Sequence, residues 1–469
     1  MSKAYFKYLY QSKRILWNFL TLIFFAICFT PLLSSWESNY DRLIKVASIA
    51  FILALILSFV LPGIFFSVYQ RRKSADQYFS LPLSRKTLLV TTIGFAWVFV
   101  FMNWLLVTLL AQSILRTTIQ PFQYFIIYII YMAVIILVLL LIHSVLFLVA
   151  NNIFDGVVMT FAYSFVFMIV FYLQESFSYS LVAGKNGWSV AWFSQLFKLF
   201  SPEIMVTEDV QRIFLRIFLG KTNMYTFNSA FYPPWFTITL LLIYGIIATV
   251  GLTRYFIRRS SENAELVSND VMAYPFIVHV YLFGLMMAIA FQYWNIPFVA
   301  VSVQILVLLA AYVVAMFVYR RKITLSKNNV ISFILAIILS FGIAFAGRIT
   351  KGFGLANQYK LKVGEELVYS VEEYEGYKLQ VRIPVNKMDQ YKEVVDIMER
   401  YRKSVIDKYY KIGANSKERW IGYFDVHNET KTNKSLNRYS YNIYRPLNDR
   451  DIDTLKKYPE IVEFKKAEE

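Results

Sequence analysis

Few residues in this chain have the types and spacing that enzyme chemistry requires. The three histidines, His143, His279 and His427, are far apart in sequence, and no two have the spacing of metal ligands. The single cysteine, Cys28, can form neither an intrachain disulfide nor a thiolate metal site. We therefore expect each histidine to be a packed or surface residue, the chain to hold no metal or cofactor, and the chain not to be an enzyme by itself.

Nucleotide and proton chemistry are also poorly represented. Gly220-Lys221-Thr222 is similar to the end of a phosphate-binding loop, but that pattern needs a glycine where this chain has Leu215. The motifs G-x-S-x-G and H-E-x-x-H do not occur. Asp155 and Glu175 are expected near span ends, within reach of water, so we predict no buried proton relay and disfavour an ion-coupled transporter.

Long apolar runs dominate the chain between residues 15 and 347. Hydrophobic residues make up 57% of the sequence, and the mean hydropathy is +0.47. A run of about 20 apolar residues matches the roughly 30 Å hydrocarbon core of a bilayer, and it must be helical there because only a helix satisfies its own backbone hydrogen bonds. The sequence predicts an α-helical polytopic membrane protein with about nine spans, at 15–35, 43–69, 88–112, 122–149, 155–176, 234–256, 272–293, 297–319 and 329–347.

Basic residues orient these spans. One side of the predicted membrane holds most of them: Lys3, Lys7, Lys13, Arg14, Arg71, Arg72, Lys73, Arg85, Lys86, Arg254, Arg258, Arg259, Arg320, Arg321, Lys322 and Lys327. The short loops on the other side hold only Arg42, Lys45 and Arg116. Because positive loops stay in the cytoplasm, we expect a cytoplasmic N-terminus and, after nine crossings, an extracellular C-terminus. Most of the net charge of +17 lies in the membrane-spanning part of the chain, where we expect it to set topology rather than to bind nucleic acid.

Two segments outside the spans have amphipathic patterns. The N-terminal residues 1–14 combine basic side chains with Tyr5, Phe6, Tyr8 and Leu9, which suits either a helix on the inner membrane surface or a plain topology signal. Between spans five and six, WSVAWFSQLFKLF and VQRIFLRIFLG place apolar residues at helical spacing. These two stretches are interpreted as interfacial or re-entrant helices, with ordinary packing helices as the alternative.

The last 120 or so residues have the pattern of a water-soluble domain. ELVYSVEEYEGYKLQVRIP predicts two strands joined at a Glu-Gly turn, and RWIGYFDVHN and NRYSYNIYRP predict two more. A helix is expected around residues 386–411, and a second begins near the N-cap candidates Asn448 and Asp449. The order β-β-α-β-β-α indicates a small α+β domain over 348–469.

The loop between spans two and three, RRKSADQYFSLPLSRKTLLVTT, has the most distinctive sequence. Proline disfavours helical geometry at the residue before it, so we expect a short helix, a turn at Ser80-Leu81-Pro82 and then the next span. Large apolar side chains beside water favour a protein contact, in which Phe79 and Leu81 would be central. The alternative is a solvated turn. The predicted docking residues are Asp76, Gln77, Tyr78, Phe79, Leu81, Pro82 and Leu83.

The stretch DQYFSLPLSRKTLL resembles the first cytoplasmic loop of ABC-2 type transporter permeases, in which an SLP-[IVL]-[ST]-R string recurs between spans two and three. The closest resemblance is to Gram-positive permeases of the Ytr or antimicrobial-peptide-exporter type, and it covers about residues 1–260. It implies an interface helix at 1–14 and a six-span permease core at 15–260. The three additional spans predicted at 261–347 and the extracellular domain predicted at 348–469 depart from that six-span pattern.

The resemblance also implies partners. Such permeases carry no ATPase; they dock a separate ATP-binding subunit, which holds ATP and Mg²⁺, and pair with a second permease subunit, identical or related. The chain would then be the membrane subunit of an exporter of a peptide, antimicrobial or lipid in the cell membrane. Two rivals remain open: a membrane receptor or scaffold with an extracellular sensor domain and no ATPase partner, and a lipid enzyme, which the lack of clustered catalytic groups disfavours.

Overall fold

A computed structural model of the chain describes the following residues: 3–33, 38–116, 122–182, 202, 205–206, 234–268, 274–321, 326–355, 366–373, 377–412, 422–429, 439–443 and 446–466. The described part divides into two compact units. The first comprises Met1–Val166 and Lys198–Ile277, and the second comprises Phe167–Phe197 and Val278–Glu469. The sequence-based division at residues 14, 260 and 347 stays a prediction.

Helices of membrane-spanning length make up most of the described chain. In order, the helices before the soluble segment are α1 (Lys3–Ser12), α2 (Arg14–Cys28), α3 (Asn39–Phe66), α4 (Arg72–Phe79), α5 (Arg85–Leu115), α6 (Phe122–Leu148), α7 (Ile153–Ser164), α8 (Val166–Leu181), α9 (Pro234–Arg258), α10 (Tyr274–Gln292), α11 (Phe298–Arg320) and α12 (Lys327–Ile349). Within the described residues, eight segments are long and apolar enough to cross a membrane, with α7 and α8 counted as one, and α10 contributes a shorter apolar helix, Phe276–Gln292. The chain is therefore a helical polytopic membrane protein by length and composition, and the count of nine spans stays a prediction.

Polar residues mark where these helices begin. Ser38, Ser84, Asn152 and Ser326 each accept a hydrogen bond from a backbone N–H in the first turn of the helix that follows. Such caps satisfy amide groups that have no partner inside the helix. They fix the first residues of α3, α5, α7 and α12.

The first unit is a bundle in which α3 packs against α5 and α6, and α9 packs along α6. Its core contains large side chains that are almost fully buried, among them Trp17, Trp104 and Tyr128. Pro62 lies inside α3, which still continues to Phe66 and is followed by a 3-10 turn, Ser67–Gln70. The two predicted amphipathic segments between spans five and six, together with Gly220-Lys221-Thr222, lie outside the described residues.

The C-terminal part of the second unit is a five-stranded antiparallel sheet with two helices. Its elements are β1 (Glu366–Glu373), β2 (Tyr377–Pro384), α13 (Lys392–Ile412), β3 (Gly422–Glu429), β4 (Tyr439–Ile443), α14 (Asp449–Leu455) and β5 (Val462–Lys466), with strand order β4-β3-β1-β2-β5. The four predicted strands and two predicted helices are confirmed, and β5 is an addition.

Strand periodicity explains the core of this sheet. Leu367, Tyr369 and Val371 alternate along β1 and are fully buried, because successive side chains of a strand point to opposite faces. They pack in one cluster with Val394 and Met398 of α13. The sheet and its helices thus form a hydrophobic core from their own residues.

Candidate functional site

The short helix α4 and the turn after it are built by local hydrogen bonds. The Ser80 N–H donates to the Asp76 carbonyl at 3.0 Å, and the Leu83 N–H donates to the Leu81 carbonyl at 2.7 Å. The Ser84 hydroxyl then accepts from the Thr87 N–H at 3.1 Å and starts α5. The predicted succession of short helix, turn and span is therefore confirmed.

The apolar side chains of this element face the protein, which the sequence did not reveal. Tyr78, Phe79, Leu81 and Leu83 are half-buried and pack against the core of the first unit. The expectation that they stand together in water is wrong. A short helix beside a bundle has an apolar bundle surface within reach, and burial there removes the aromatic rings from water.

Phe79 holds the centre of this contact. Its ring stacks on the buried ring of Tyr69 with centroids 5.5 Å apart, and it meets Phe256 at 6.2 Å. The guanidinium of Arg85 lies 4.2 Å from the centre of the Phe79 ring. Burial also raises the pKa of the Tyr78 phenol above its usual value. Phe79 therefore anchors α4 to the ends of α3 and α9.

The outer face of the same element is polar. Asp76, Gln77, Ser80 and Pro82 are exposed, as is Lys73. Of the seven predicted docking residues, the structure therefore leaves Asp76, Gln77 and Pro82 accessible to a partner. The other four form the attachment of α4 to the bundle.

Two arginines fasten this element to the end of α9 and the loop that follows it. Arg72 donates from Nε to the Ala264 carbonyl at 3.3 Å and from Nη2 to the Glu262 carbonyl at 3.2 Å. Arg85 donates from Nη1 to the carbonyls of Ile257 and Arg259, each at 2.7 Å. The sequence indicates for these basic residues only a role in orienting the spans, whereas in the structure they hold helix ends together.

Arg259 is the most buried of these cations, at 7% exposure. Its guanidinium donates to the carbonyls of Tyr69 at 3.1 Å, Leu148 at 3.0 Å and Ala150 at 3.1 Å. Gln70 donates to the Ala150 carbonyl as well, at 3.2 Å. Burial lowers the pKa of Arg259 to about 10, so it stays charged at neutral pH. One side chain thus joins the ends of α3, α6 and α9.

The N-terminal helix α1 confirms the predicted helix and packs against α5. Tyr5 and Leu9 are buried, Phe6 meets Phe95 with ring centroids 5.0 Å apart, and burial raises the pKa of the Tyr5 phenol. Tyr8 is 48% exposed, and its hydroxyl lies 3.5 Å from that of Tyr78 in α4. The predicted interface residues therefore divide into an inward pair, a half-buried Phe6 and an outward Tyr8.

The acidic residues near span five differ from expectation. Asp155 is 2% exposed and accepts hydrogen bonds from Ser268 at 2.8 Å, from Tyr274 at 3.0 Å and from Asn152. The prediction that water reaches Asp155 is wrong, because residues that follow α9 fold back over the start of α7. Its partners give it a structural role, while Glu175 is half-buried within α8.

Histidines of the described spans are packed, as predicted. Nδ1 of His143 lies 3.1 Å from the Ser58 carbonyl, and His279 meets the ring of Tyr312 at 6.1 Å. His427 lies in β3, and its side chain is outside the described residues. Among the residues that the structure describes, no group of three His, Cys, Asp or Glu side chains could hold a metal ion.

A second arginine site, in the second unit, was missed by sequence reasoning. Arg348 is 8% exposed and donates from Nη2 to the carbonyls of Tyr409 and Tyr410, each at 3.0 Å. Its guanidinium lies 5.0 Å from the ring of Tyr410 and 5.7 Å from that of Trp294. The Tyr409 hydroxyl donates to the Ser180 carbonyl at 3.2 Å. The end of α13 is thereby fixed to the ends of α8 and α12.

No family model matches the chain, and no curated protein or solved structure is significantly similar to it. The resemblance to ABC-2 permeases therefore rests on the loop string and the arrangement of spans.

Proposed function

We propose that this chain is the permease subunit of an ATP-driven exporter of the ABC-2 type. It would lie in the cell membrane with its N-terminus in the cytoplasm and move an amphipathic cargo such as a peptide, antimicrobial or lipid. The observation that carries the proposal is α4 with its SLPLSR turn. This element lies between two long apolar helices and is fastened to the ends of α3 and α9 by Phe79, Arg72 and Arg85.

Such an element suits the transmission of force. A partner that binds the exposed face around Asp76 and Gln77 would push on a helix whose inner face is packed on the bundle. Because Arg259 joins the ends of α3, α6 and α9, displacement of α4 would be shared by several spans. ATP, Mg²⁺ and hydrolysis would come from the separate subunit, and a second permease subunit, identical or related, would complete the cargo path.

The C-terminal sheet domain would lie outside the cell on the proposed topology. Its anchorage through Arg348 to the end of α12 supports a role in receiving or gating cargo at the outer end of the spans. The same anchorage favours a second candidate, a membrane receptor or scaffold whose outer sensor domain reports to the spans without any ATPase partner. The two functions differ in whether an ATPase is bound at α4.

Co-purification from the native host in mild detergent tests the exporter. The informative variant is Asp76→Arg with Gln77→Arg, which places two cations and added bulk on the exposed face and leaves the anchor intact. We expect the ATP-binding subunit to be lost while the permease remains inserted. Asp389-Gln390 is a matched control, because the same dipeptide is exposed there in the C-terminal domain, and its double arginine variant should keep the partner.

Phe79 and Leu81 are unsuited to this test. Both are half-buried against the bundle, so an aspartate at either position would also loosen α4 itself. If the Asp76/Gln77 variant retains a bound ATPase, α4 is not the docking element. If the unaltered protein purifies with no ATP-binding subunit at all, the receptor or scaffold becomes the better account.

A further inference from the structure

One stripe along α9 changes from apolar to cationic at its end. Ile243, Ile247, Val250, Arg254 and Arg258 recur at intervals of four or three residues, so they share a face of the helix. The three apolar members are 45%, 63% and 64% exposed, and both arginines are exposed. Apolar side chains with this exposure in a membrane span suit contact with acyl chains. The arginines lie at the level where such chains would end in head groups.

A cavity of about 1130 Å³ lies beside the cationic end of this stripe. It is bounded by the last part of α9, the end of α6 and the loop after α9, and these residues line it: Leu148, Val149, Asn151, Ile247, Val250, Gly251, Arg254, Tyr255, Arg258, Arg259, Asn263, Leu266 and Val267. The wall formed by α9 is apolar at Ile247 and Val250 and cationic from Arg254 onward. The cavity therefore has the two-part character of an amphiphile.

The charge of this cavity is uncompensated by its lining. Three guanidinium groups face or border it, and no aspartate or glutamate is among its described lining residues. Neither Arg254 nor Arg258 forms an ion pair with a carboxylate of the described chain, whereas Arg259 is occupied by backbone carbonyls. The nearest acidic residues in sequence, Glu262 and Glu265, are exposed on the loop. Two arginines are thus available to an external anion.

We propose that this cavity binds the head group of an anionic phospholipid, with Arg254 and Arg258 on the phosphate and the acyl chains along Ile247 and Val250. Guanidinium groups pair with phosphate through two parallel hydrogen bonds, which favours arginine at such a site. The distribution of basic residues assigns this end of α9 to the cytoplasmic leaflet, whose surface is anionic. A free phosphate would use the arginines but gain nothing from the apolar stripe.

A bound lipid would contact the same helix ends and loop to which α4 is attached. Leu148 lines the cavity, and its carbonyl accepts a hydrogen bond from Arg259. Asn263 also lines the cavity, and the carbonyls of its two neighbours, Glu262 and Ala264, accept hydrogen bonds from Arg72. Occupancy should therefore stabilise the ends of α6 and α9 whether or not the chain is an exporter subunit.

Native mass spectrometry of the delipidated full chain in detergent tests the site. Phosphatidylglycerol, phosphatidylcholine of the same acyl chains and inorganic phosphate are titrated separately. We expect phosphatidylglycerol to bind at least tenfold more tightly than the other two. The variant Arg254→Gln with Arg258→Gln should lower the affinity for phosphatidylglycerol by about 10- to 30-fold, which follows from the usual contribution of each cation near a membrane surface.

Two further variants separate this site from general attraction to a basic protein. Lys73→Gln with Lys86→Gln removes the same charge from two exposed residues outside the cavity, and it should change affinity less than threefold. Val250→Trp should lower the affinity for phosphatidylglycerol and leave any binding of inorganic phosphate unchanged, because this substitution alters only the apolar wall.

Three results would overturn the proposal. Equal affinity for phosphatidylglycerol and phosphatidylcholine would show that the arginines select no anion. Equal losses of phosphatidylglycerol affinity in the arginine and lysine variants would show that the lipid is attracted to the basic protein in general and not to this cavity. Inorganic phosphate that binds as tightly as phosphatidylglycerol, with Val250→Trp affecting neither, would assign the cavity to a free anion.

Discussion

Replacing Arg259 with alanine should destabilise the first unit far more than the same change at Arg258. The two residues are adjacent and of one type, but Arg259 is 7% exposed and donates to three carbonyls, while Arg258 is exposed on α9. The pair therefore separates the effect of burial and hydrogen bonding from that of losing one positive charge near a membrane.

The size of the effect follows from which carbonyls lose their donor. Ala150 keeps the hydrogen bond from Gln70, so only the carbonyls of Tyr69 and Leu148 lose the side-chain donor. Each buried, unsatisfied carbonyl costs about 1–3 kcal/mol, which gives a loss of about 2–6 kcal/mol. Burial of the charged guanidinium is itself unfavourable, and it lowers the pKa of Arg259 to about 10. Replacement with alanine removes this cost. The net loss should then lie near the lower part of that range, at about 2–4 kcal/mol.

Thermal unfolding of the delipidated protein in a maltoside detergent measures this difference. For a unit of this size each kcal/mol shifts the midpoint by about 2–4 °C, so Arg259→Ala should lower Tm by roughly 5–15 °C. Arg258→Ala should change stability by less than about 0.5 kcal/mol. Arg259→Lys should fall between them, because it keeps the charge but a single ammonium group cannot reproduce the fork that serves three carbonyls.

One result would contradict the role assigned to Arg259. If Arg259→Ala and Arg258→Ala unfold within about 2 °C of each other, the carbonyls of Tyr69 and Leu148 are satisfied by other groups, and the guanidinium does not join the helix ends.

Three further outcomes concern the second unit. Arg348→Gln should leave the sheet intact but speed amide exchange at the end of α13, and unchanged exchange there would contradict the anchoring role. On the proposed topology a cysteine at Asp453, in a chain with Cys28→Ala, should react with an impermeant thiol reagent on intact cells; reaction only after lysis would place the domain inside. Residues 352–469 alone should unfold cooperatively, and Val394→Asp should abolish that transition by placing a charge in the core; a disordered wild-type segment would show dependence on the spans.

Much of the secondary structure could be predicted from local patterns. Apolar runs placed the long helices, Pro82 placed the turn after α4, and strand patterns placed β1 and β2. Each of these signals acts over a few residues, so it is visible in the sequence alone. The strand β5, Val462–Lys466, was missed because it is only five residues long and three of them are charged. It is held as a strand by its pairing with β2, which the local sequence does not reveal.

The direction of Phe79 could not be predicted in the same way. An apolar side chain in a loop suits a partner protein as well as it suits a neighbouring helix of the same chain. The choice depends on Tyr69 and Phe256, and Phe256 is remote in sequence. The consequence for the candidate site is substantial, because the solvent-exposed face of α4 is the polar one around Asp76 and Gln77 rather than the apolar cluster.

The unforeseen arginines follow from one physical requirement. The last carbonyls of a helix have no amide partner inside it, and where helix ends pack together water cannot supply one. Arg259 serves such carbonyls at the ends of α3 and α6, Arg85 serves those at the end of α9, and Arg348 serves those at the end of α13. A basic residue that follows a span therefore has two possible roles, topology signal or helix-end donor, and only the packing around it decides. Arg258 and Arg259 are neighbours of one type, yet Arg258 is exposed while Arg259 is buried on backbone carbonyls. A count of positive charges treats the two alike, so it can predict an orientation of the spans but cannot reveal what joins them.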